Sequence, residues 1–273
     1  MRVGNNPLTG GMAKQMPELV AAVITHLPDL EGYHAGRMEV VQHCLNSLRE
    51  NAGRMIPVLV WDNGSGPELR DWLVNYLKPE FLVLSPNVGK ASARASIIRA
   101  FRPETVVCIS DDDMYYHPNW LEPQLKLLNH FPNVGAVSGY PVRTQFRWGN
   151  AATIKWAQEA GAAITRGKLI PEEWDRDFCI SIGRDWDYQV ATTVDDQETM
   201  IEWKGVRAYA TAHHCQFICR AGALEYIVAW DEEAMSDEKL FDKAIDAHGM
   251  LRLTTTERLV QHIGNVMEDR FRI

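Results

Sequence analysis

Residues 105–113 read TVVCISDDD, and this stretch decides the fold class. A short apolar and β-branched run leads directly into three consecutive aspartates. Such a run is typical of a strand that is buried on both faces of a parallel sheet. In sheets of this kind the ligand crevice lies beyond the carboxyl ends of the strands. The stretch therefore predicts a central strand whose end carries acidic side chains into a ligand site.

Outward from this strand, the first half of the chain alternates between β-rich runs and helical patterns. Strands are predicted at 18–26, 56–61, 81–84, 105–110 and 134–138. Helices are predicted at 36–50, 68–78, 91–101 and 119–129. Apolar strands that alternate with amphipathic helices predict an α/β fold, with a mostly parallel central sheet flanked by helices. Asp62 follows the second strand, so two strand ends carry carboxylates.

The second half of the sequence is less regular. Residues 148–196 show weak periodicity and predict long loops with one helix near 153–163. The remaining elements are predicted strands at 207–219 and 259–263 and a predicted helix at 237–248. No internal repeat or clear linker occurs, which predicts a single domain over residues 1–273.

Composition narrows the class of protein. The formal net charge is -8, whereas nucleic-acid-binding domains are usually basic, although a local basic patch is compatible with this charge. The five cysteines form no CxxC pair, which favours a reducing compartment over a disulfide framework. Cys215 and Cys219 lie near His213 and His214, but the spacing matches no common zinc motif and a buried strand is favoured. Without a signal-peptide pattern or an apolar run of about 18 residues, we expect a cytoplasmic protein with no transmembrane segment.

The negative charges of Asp111, Asp112 and Asp113 need a compensating positive charge. Three adjacent like charges repel one another, and without a cation the pKa of at least one carboxyl rises. A divalent cation such as Mg²⁺ or Mn²⁺ prefers carboxylate oxygens and often bridges substrate phosphates. A solvated acidic turn, or the start of the next helix, accounts for the same residues. The residues alone leave both interpretations open, and the apolar strand before them favours the functional one.

Two further places carry chemically useful groups. His262 lies in LVQHIG, at residues 259–264, and a single histidine is more often structural than a ligand. Asp237 and Glu238 begin a predicted helix, where acidic side chains are favourable and Ser236 can act as a cap. A general base for a hydroxyl group is the functional alternative. On spacing alone, the helix-start interpretation is favoured.

Common phosphate-binding and hydrolase motifs are absent from the sequence. NVGKAS, at residues 87–92, resembles a P-loop only faintly, because Leu84 stands where the motif needs glycine and Ala91 where it needs serine or threonine. No GxGxxG follows a predicted strand, and no GxSxG occurs. These absences argue against a dinucleotide-binding domain and against a serine-hydrolase elbow.

The order of these features resembles glycosyltransferase family 2, a group of inverting enzymes with the GT-A fold. The resemblance runs through VLVWDNGS (58–65), SPNVGKASARASI (85–97), VVCISDDDMYYHPNWLEPQL (106–125), SDEKLFDKAIDAHG (236–249) and LVQHIG (259–264). It covers the first half and the end of the chain well, and residues 144–234 poorly. Five features in the same order are a stronger signal than an Asp-x-Asp motif by itself.

The resemblance implies a nucleotide-sugar donor, linked to UDP or GDP, that binds in the half formed by residues 1–140. The residues it assigns to donor binding are Asp62, Asn87, Gly89, Arg94, Asp111 and Asp112. It also implies a metal ion, Mn²⁺ or Mg²⁺, bound by Asp113 and His262. Asp237 or Glu238 takes the place of the catalytic base, although the family usually has Glu-Asp where this chain has Asp-Glu.

The acceptor is expected to bind in residues 141–273, and a glycan, a small molecule or a nucleic acid would fit. Arg143, Arg147, Lys155, Arg166 and Lys168 add positive charge there, which would suit an anionic acceptor, including hydroxylated bases of DNA. A nucleotidyltransferase and a non-catalytic glycan-binding module of the same fold are two alternatives. The first usually has a Gly-rich basic segment after the first strand, which THLPDLEGYHAGR (25–37) lacks.

Overall fold

A computed structural model of the chain describes residues 16–225, 238–267 and 271. The described residues form a ten-stranded sheet with helices packed on both faces, and a separate two-stranded sheet. The predicted α/β fold, with a mostly parallel central sheet flanked by helices, is confirmed.

Within the described residues, the strands are β1 (Leu19–Thr25), β2 (Val58–Asn63), β3 (Phe81–Ser85), β4 (Val106–Asp111), β5 (Met114–Tyr116), β6 (Val134–Ser138), β7 (Ala163–Gly167), β8 (Glu198–Trp203), β9 (Val206–Tyr209), β10 (Gln216–Arg220), β11 (Leu251–Thr254) and β12 (Val260–His262). The helices are α1 (Arg37–Glu50), α2 (Pro67–Trp72), α3 (Lys90–Arg99), α4 (Leu121–His130), α5 (Ala151–Glu159), α6 (Glu172–Ser181), α7 (Trp186–Thr193), α8 (Ala221–Leu224) and α9 (Glu238–Ala247). In this part of the chain, none of the helices combines the length and apolar character needed to cross a membrane.

The strand order of the large sheet is β3-β2-β1-β4-β10-β6-β11-β9-β8-β7. β1 pairs in parallel with β2 and β4, and β2 pairs in parallel with β3. β10 runs antiparallel between β4 and β6, and β6 pairs in parallel with β11. Six strands therefore point the same way, namely β1, β2, β3, β4, β6 and β11. β10 runs against them. Asp62 on β2 and Asp111 on β4 lie at the carboxyl edge of this sheet, on either side of β1.

Both faces of the central strands are buried, which explains their continuous apolar sequence. In β4, Val106 and Cys108 pack into the core that includes α1 and α4. Val107 and Ile109 pack into the opposite core, which includes α3 and α9. Burying a valine or isoleucine side chain fully contributes roughly 1.5–3 kcal/mol, so β4 is anchored from both sides. This anchoring fixes the position of the aspartates that follow it.

The two-stranded sheet brings a distant segment to the end of β4. β12 pairs antiparallel with β5, with His262 opposite Met114. The backbone N–H of Ile263 donates to the carbonyl oxygen of Asp113 at 2.9 Å. Backbone pairing therefore places His262 beside Asp113. The strand predicted at 259–263 is present as β12.

The middle of the chain is more regular than its sequence suggests. The prediction of long loops with one helix at 148–196 is wrong, because the segment contains β7, α6 and α7 besides α5. β7 pairs with β8, and α6 and α7 lie between these two strands in the sequence. Pairing between distant segments produces no periodic pattern in the local sequence. Arg143 also joins Glu198 and Asp175 in an ion cluster next to this segment. The strand material predicted at 207–219 forms two strands, β9 and β10, and β11 was not predicted.

Gly64 allows the loops after β2 and β3 to touch. Its φ is +87°, a left-handed conformation, and a Cβ atom there would lie 2.8 Å from the backbone nitrogen of Asn87. Gly64→Ala should therefore lower the free energy of unfolding by about 2–4 kcal/mol, because left-handed strain and steric overlap add. Urea denaturation measures this loss.

Gly161 provides the matched control for this variant. Its φ is +68°, but no atom lies within 4 Å of an added Cβ. Gly161→Ala should therefore cost only the backbone strain, about 1–2 kcal/mol. Equal losses in the two variants would contradict a tight contact between the loops.

Candidate active site

The three aspartates lie at the end of β4, and the first of them is paired with a lysine. β4 ends at Asp111, and Asp112 and Asp113 lie in the turn to β5. Lys90 donates a hydrogen bond from Nζ to the Asp111 carboxylate at 2.8 Å. The guanidinium of Arg94 lies 3.8 Å from the same carboxylate. Lys90 is the first residue of α3, so the start of this helix compensates one of the three acids.

Arg37, the first residue of α1, compensates the other two acids. Its guanidinium donates hydrogen bonds to Asp112 and, at 3.0 Å, to Asp113. Burial lowers the pKa of Arg37, but the two carboxylates outweigh this effect, so the pKa is raised and the group stays charged. Burial raises the pKa of Asp112 to about 6, with Arg37 acting in the opposite direction. Arg37 therefore allows two carboxylates to lie side by side away from water.

His262 completes the cluster. Its Nε2 lies 3.3 Å from a carboxylate oxygen of Asp113. Burial lowers the pKa of His262, but the charge of Asp113 outweighs this effect and the pKa is raised. Burial raises the pKa of Asp113, but His262 and Arg37 outweigh it, so the pKa of this carboxyl falls well below its usual range. His262 and Asp113 therefore form an ion pair over the range between these two pKa values.

Some atoms of the cluster have no hydrogen-bond partner within the protein. Among the described residues, Asp111 Oδ1, Asp113 Oδ1 and His262 Nδ1 are buried without one. A buried carboxylate oxygen without a partner is costly, and a divalent cation removes that cost. Carboxylate oxygens suit Mg²⁺ or Mn²⁺. The donor set therefore fits a divalent metal ion, and Asp113 and His262 are the residues that could hold it.

A cleft of about 180 Å³ opens beside the cluster. Its lining residues are Ile24, His26, Arg37, Asn63, Lys90 and the three aspartates. The loops after β2 and β3 meet next to it, where Asn63 Nδ2 donates to Asn87 Oδ1 at 3.1 Å. Asn87 Oδ1 also accepts from the backbone N–H of Gly89 at 3.0 Å, just before α3. A cleft with cations and amide groups suits a ligand that carries phosphates and a hydrogen-bonding ring.

Asp62 and Arg94 are buried and held by other protein groups, and neither lines this cleft. Asp62 accepts hydrogen bonds from the backbone N–H of Ser65 at 3.1 Å and from Arg70 Nε at 2.7 Å. Arg94 is 3% exposed and donates to the carbonyl oxygen of His214 at 3.3 Å. Both residues support the walls of the cleft, and their direct contact with a nucleotide stays a prediction.

Arg37, Lys90 and Asn63 are site residues that the sequence interpretation did not assign. Arg37 carries a readable signal, because it begins the buried stripe of α1 that continues with Val40 and Val41. A charged residue on the buried stripe of a helix needs a partner. Lys90 stands at the start of a helix, where a positive charge is unfavourable unless an anion lies nearby. Asn63 has no comparable signal.

The predicted catalytic base lies at the edge of the described structure. Asp237 is outside the described residues. Glu238 begins α9, and its side chain also lies outside the description. The assignment of Asp237 or Glu238 as the catalytic base therefore stays a prediction.

A second cavity, of about 220 Å³, adjoins the cluster on the side of His262. Its walls include His262, His214, Cys215, Trp148 and Lys239. Because His262 contacts Asp113, the cleft and this cavity lie on two sides of one ion pair. Asp113 lines the cleft and His262 lines the cavity.

The two cysteines near His213 and His214 do not form one site. Cys215 lines the second cavity. Cys219 is buried in the core on the α3 side, where its thiol faces the carbonyl oxygen of Val107 at 3.8 Å. The buried-strand interpretation of Cys219 therefore holds.

The sequence profile described as Glycosyl transferase family 2 matches residues 35–189, more than half of the chain. The chain belongs to glycosyl transferase family 2. The match contains α1, the loop before α3 and the three aspartates, and ends before His262. Membership of family 2 agrees with the mixed α/β sheet of the described residues, which is that of a GT-A fold.

Among solved structures, one similar chain is the mannosyltransferase PcManGT from Pyrobaculum calidifontis, described in complex with GDP-Man and Mn²⁺. The identity is 23%, and the aligned part covers 45% of this chain and 35% of that chain, with a TM-score of 0.33. This family 2 chain thus spans well under half of the mannosyltransferase. A comparison with curated proteins gives no match.

The ion pair between His262 and Asp113 predicts a measurable titration in the family 2 protein. With EDTA present, the pKa of His262 should lie above the ordinary 6.5 of histidine. Asp113→Asn should bring it below 6.5, because burial then acts without the opposing charge. NMR titration of the histidine ring protons measures both values. The pair should stabilise the fold at pH values between the pKa of Asp113 and the pKa of His262. This contribution is lost as the pH rises through the pKa of His262 and as it falls through the pKa of Asp113.

Asp29→Asn serves as the control for this titration. It removes the carboxylate that lies 3.1 Å from the Nδ1 atom of His34, and neither residue lines the cleft beside the aspartates. The pKa of His262 should not change in this variant. A pKa of His262 that is also unchanged in Asp113→Asn would contradict the ion pair.

Proposed function

We propose that the chain is a metal-dependent, inverting glycosyltransferase that moves a hexose-type sugar from a nucleoside diphosphate to an acceptor hydroxyl. The observation that supports this most is the contact of Asp113 with His262 at the carboxyl edge of the sheet. Buried acceptor atoms without partners lie at this contact, and Arg37 and Lys90 lie beside it. Carboxylates, an imidazole and two cations suit a diphosphate that arrives together with a metal ion.

The donor is proposed to lie in the cleft, with UDP or GDP as its nucleotide. Lys90 can donate to a phosphate oxygen, and it stands at the start of α3, where the helix dipole also favours negative charge. The amide groups of Asn63 and Asn87 can bind the nucleoside. Asp111 and Asp112, which line the cleft, are proposed to contact the donor.

Asp113 and His262 are proposed to hold Mn²⁺ or Mg²⁺. When bound, the ion offsets the negative charge that develops on the departing diphosphate. Arg37 contributes by holding Asp113 in place and by keeping Asp112 ionised beside it. Lys90 adds a further positive charge near the same phosphates.

Asp237 or Glu238 is proposed as the base that removes the proton from the acceptor hydroxyl. The hydroxyl then attacks the anomeric carbon from the side opposite the diphosphate, and this single displacement inverts the configuration. Lys239, the next residue of α9, lines the second cavity. The start of α9 therefore borders the space in which the transferred sugar is proposed to lie.

We also propose that residues 1–273 form a single domain, in which 1–140 bind the nucleotide and 141–273 the acceptor. One sheet runs through both halves, since β10 of the second half lies between β4 and β6 of the first. The five cysteines are free thiols, which supports a reducing, cytoplasmic location.

A glycan or a small molecule is the preferred acceptor, and a hydroxylated DNA base has less support. Arg143, one of the basic residues that favoured an anionic acceptor, pairs with Glu198 and Asp175 and is largely buried. Arg147 pairs with Asp196 at 2.7 Å. Cations that are neutralised within the protein contribute little to a nucleic-acid surface.

Thermal unfolding with a panel of UDP, GDP, dTDP and CMP, each with Mn²⁺ or with EDTA, tests this proposal. A nucleotide at about 100 times its dissociation constant should stabilise the protein by about 2.7 kcal/mol. The shift should require Mn²⁺ and occur with UDP or GDP. Asp113→Asn should abolish the metal-dependent part.

Asp196→Asn is the matched control, because the side chains of Asp196 and Asp113 are both 18% exposed and both pair with an arginine. This variant should keep the full shift. If no nucleotide stabilises the wild-type protein, the transferase proposal fails and a non-catalytic glycan-binding module becomes the better interpretation. A shift that Asp113→Asn and EDTA leave intact would contradict the metal site alone.

A further inference from the structure

Three side chains that the proposed chemistry does not use form a chain that ends at the wall of the second cavity. Nδ1 of His214 lies 3.0 Å from Oδ2 of Asp242. Oδ1 of Asp242 lies 2.6 Å from Nη2 of Arg252. Asp242 is 1% exposed and Arg252 is fully buried, whereas His214 lines the cavity. The chain therefore runs from the core to the cavity wall.

Backbone groups hold the buried end of this chain in place. Arg252 donates hydrogen bonds to the carbonyl oxygens of Trp148 and Gly149 at 2.7 Å each, and to that of Ala212. Gly149 has a φ of +56°, and a Cβ atom there would lie 2.5 Å from the carbonyl oxygen of Asp242. The backbone is thus packed directly against the Arg252–Asp242 pair. Asp242 is held in one position, and it orients the imidazole of His214.

The contact with Asp242 also fixes which ring nitrogen of His214 faces the core. An ionised carboxylate only accepts hydrogen bonds, so Nδ1 of His214 carries a hydrogen, and Nε2 is the second polar atom of the ring. The side-chain amide of Gln145 lies 3.2 Å from Nδ1 as well, but the charged carboxylate is the stronger partner. His214 can therefore share a hydrogen bond with a hydroxyl group, which both donates and accepts.

The immediate neighbour of this imidazole is a thiol. Cys215 hydrogen-bonds to His214. Burial raises the pKa of the thiol to about 12 and outweighs the lowering effect of His214, so the thiol stays neutral and forms only weak hydrogen bonds. A sugar hydroxyl is a stronger donor than a thiol. A bound sugar can therefore take the place of Cys215 at the imidazole.

His214 is tied to the aspartate cluster through its backbone. Its carbonyl oxygen accepts a hydrogen bond from Arg94, and the carbonyl oxygen of Cys215 accepts one from the backbone N–H of Asp111 at 2.8 Å. His262 stands on the wall of the same cavity. A sugar joined to a diphosphate at His262 would therefore extend towards His214, in a space of about 220 Å³.

We propose that His214, positioned by Asp242 and Arg252, hydrogen-bonds with a hydroxyl of the transferred sugar and thereby selects the sugar of the donor. The inference rests on the proposed function, since it requires the diphosphate of the donor at the aspartate cluster. Asp242 and Arg252 are positioning residues, because they act through His214. Trp148 lines the same cavity, and the ammonium groups of Lys239 and Lys243 lie over its ring.

Isothermal titration calorimetry with Mn²⁺ separates the sugar from the nucleotide. The probes are UDP, GDP and a set of UDP- and GDP-linked hexoses and N-acetylhexosamines. The wild-type protein should bind one sugar nucleotide more tightly than the corresponding bare diphosphate. His214→Asn should weaken binding of that sugar nucleotide about fivefold to tenfold, the effect of one lost hydrogen bond, and leave the affinity for the diphosphate nearly unchanged.

His214→Gln and His34→Asn sharpen the test. The amide of asparagine can occupy the position of Nδ1 and keep the contact with Asp242, whereas glutamine can place its side-chain amide near the position of Nε2. His214→Gln should therefore recover part of the lost affinity for the sugar. His34→Asn alters another histidine–aspartate pair, in which His34 lies 3.1 Å from Asp29, and should change neither affinity.

The outcomes distinguish this inference from the proposed function. No binding of any diphosphate by the wild-type protein overturns both. Binding of a diphosphate with no preference for any sugar nucleotide overturns the role of His214 and leaves the proposed function standing. Equal weakening of diphosphate and sugar nucleotide in His214→Asn, with no recovery in His214→Gln, also overturns it, because a merely structural residue would act in this way.

Discussion

Three adjacent carboxylates at the end of one buried strand impose the main constraint on this structure. Away from water, uncompensated negative charges repel one another and shift towards their neutral forms. The compensating groups are Arg37 on α1, Lys90 on α3 and His262 on β12. Because each comes from a different element, the charge cluster fixes the positions of two helices and a distant strand relative to β4. The site and this part of the fold are therefore one arrangement.

The parallel sheet makes this convergence possible. β1, β3 and β4 end at the same edge, so the segment after β1 that leads to α1 and the loop from β3 into α3 both start there. The N-termini of both helices consequently meet the aspartates, and each begins with a basic residue. A cation at a helix N-terminus is unfavourable by itself, since the helix dipole is positive there. Arg37 and Lys90 are tolerated because the carboxylates lie opposite, and the same positive ends favour a phosphate ligand.

Local sequence patterns predicted the elements around the nucleotide cleft because each strand and helix there has its own periodicity. Asp113 and His262 were assigned through motif order, and the β5–β12 pairing explains why two distant residues meet. The β7–β8 pair and the Asp242–Arg252 pair were not predicted, since each joins residues without a local signal. Asp242 illustrates the difficulty, because an aspartate in α9 resembles a solvent-exposed helix residue, yet it is 1% exposed.

Two buried arginine–aspartate pairs, Arg37–Asp112 and Arg252–Asp242, support the two sides of the site. Desolvation of both charges offsets most of their attraction, so such pairs add little net stability compared with apolar residues of the same size. Removing one member is nevertheless costly, because the other charge is left buried without a partner. The pairs therefore add little to the stability of the fold, but they hold the side chains that they contact in fixed positions. The first pair holds Asp112 and Asp113 next to the cleft, and the second holds His214 on the wall of the second cavity. In both cases a buried guanidinium fixes the position of a carboxylate. This carboxylate lies at the surface that a donor would contact, or holds a side chain there in place.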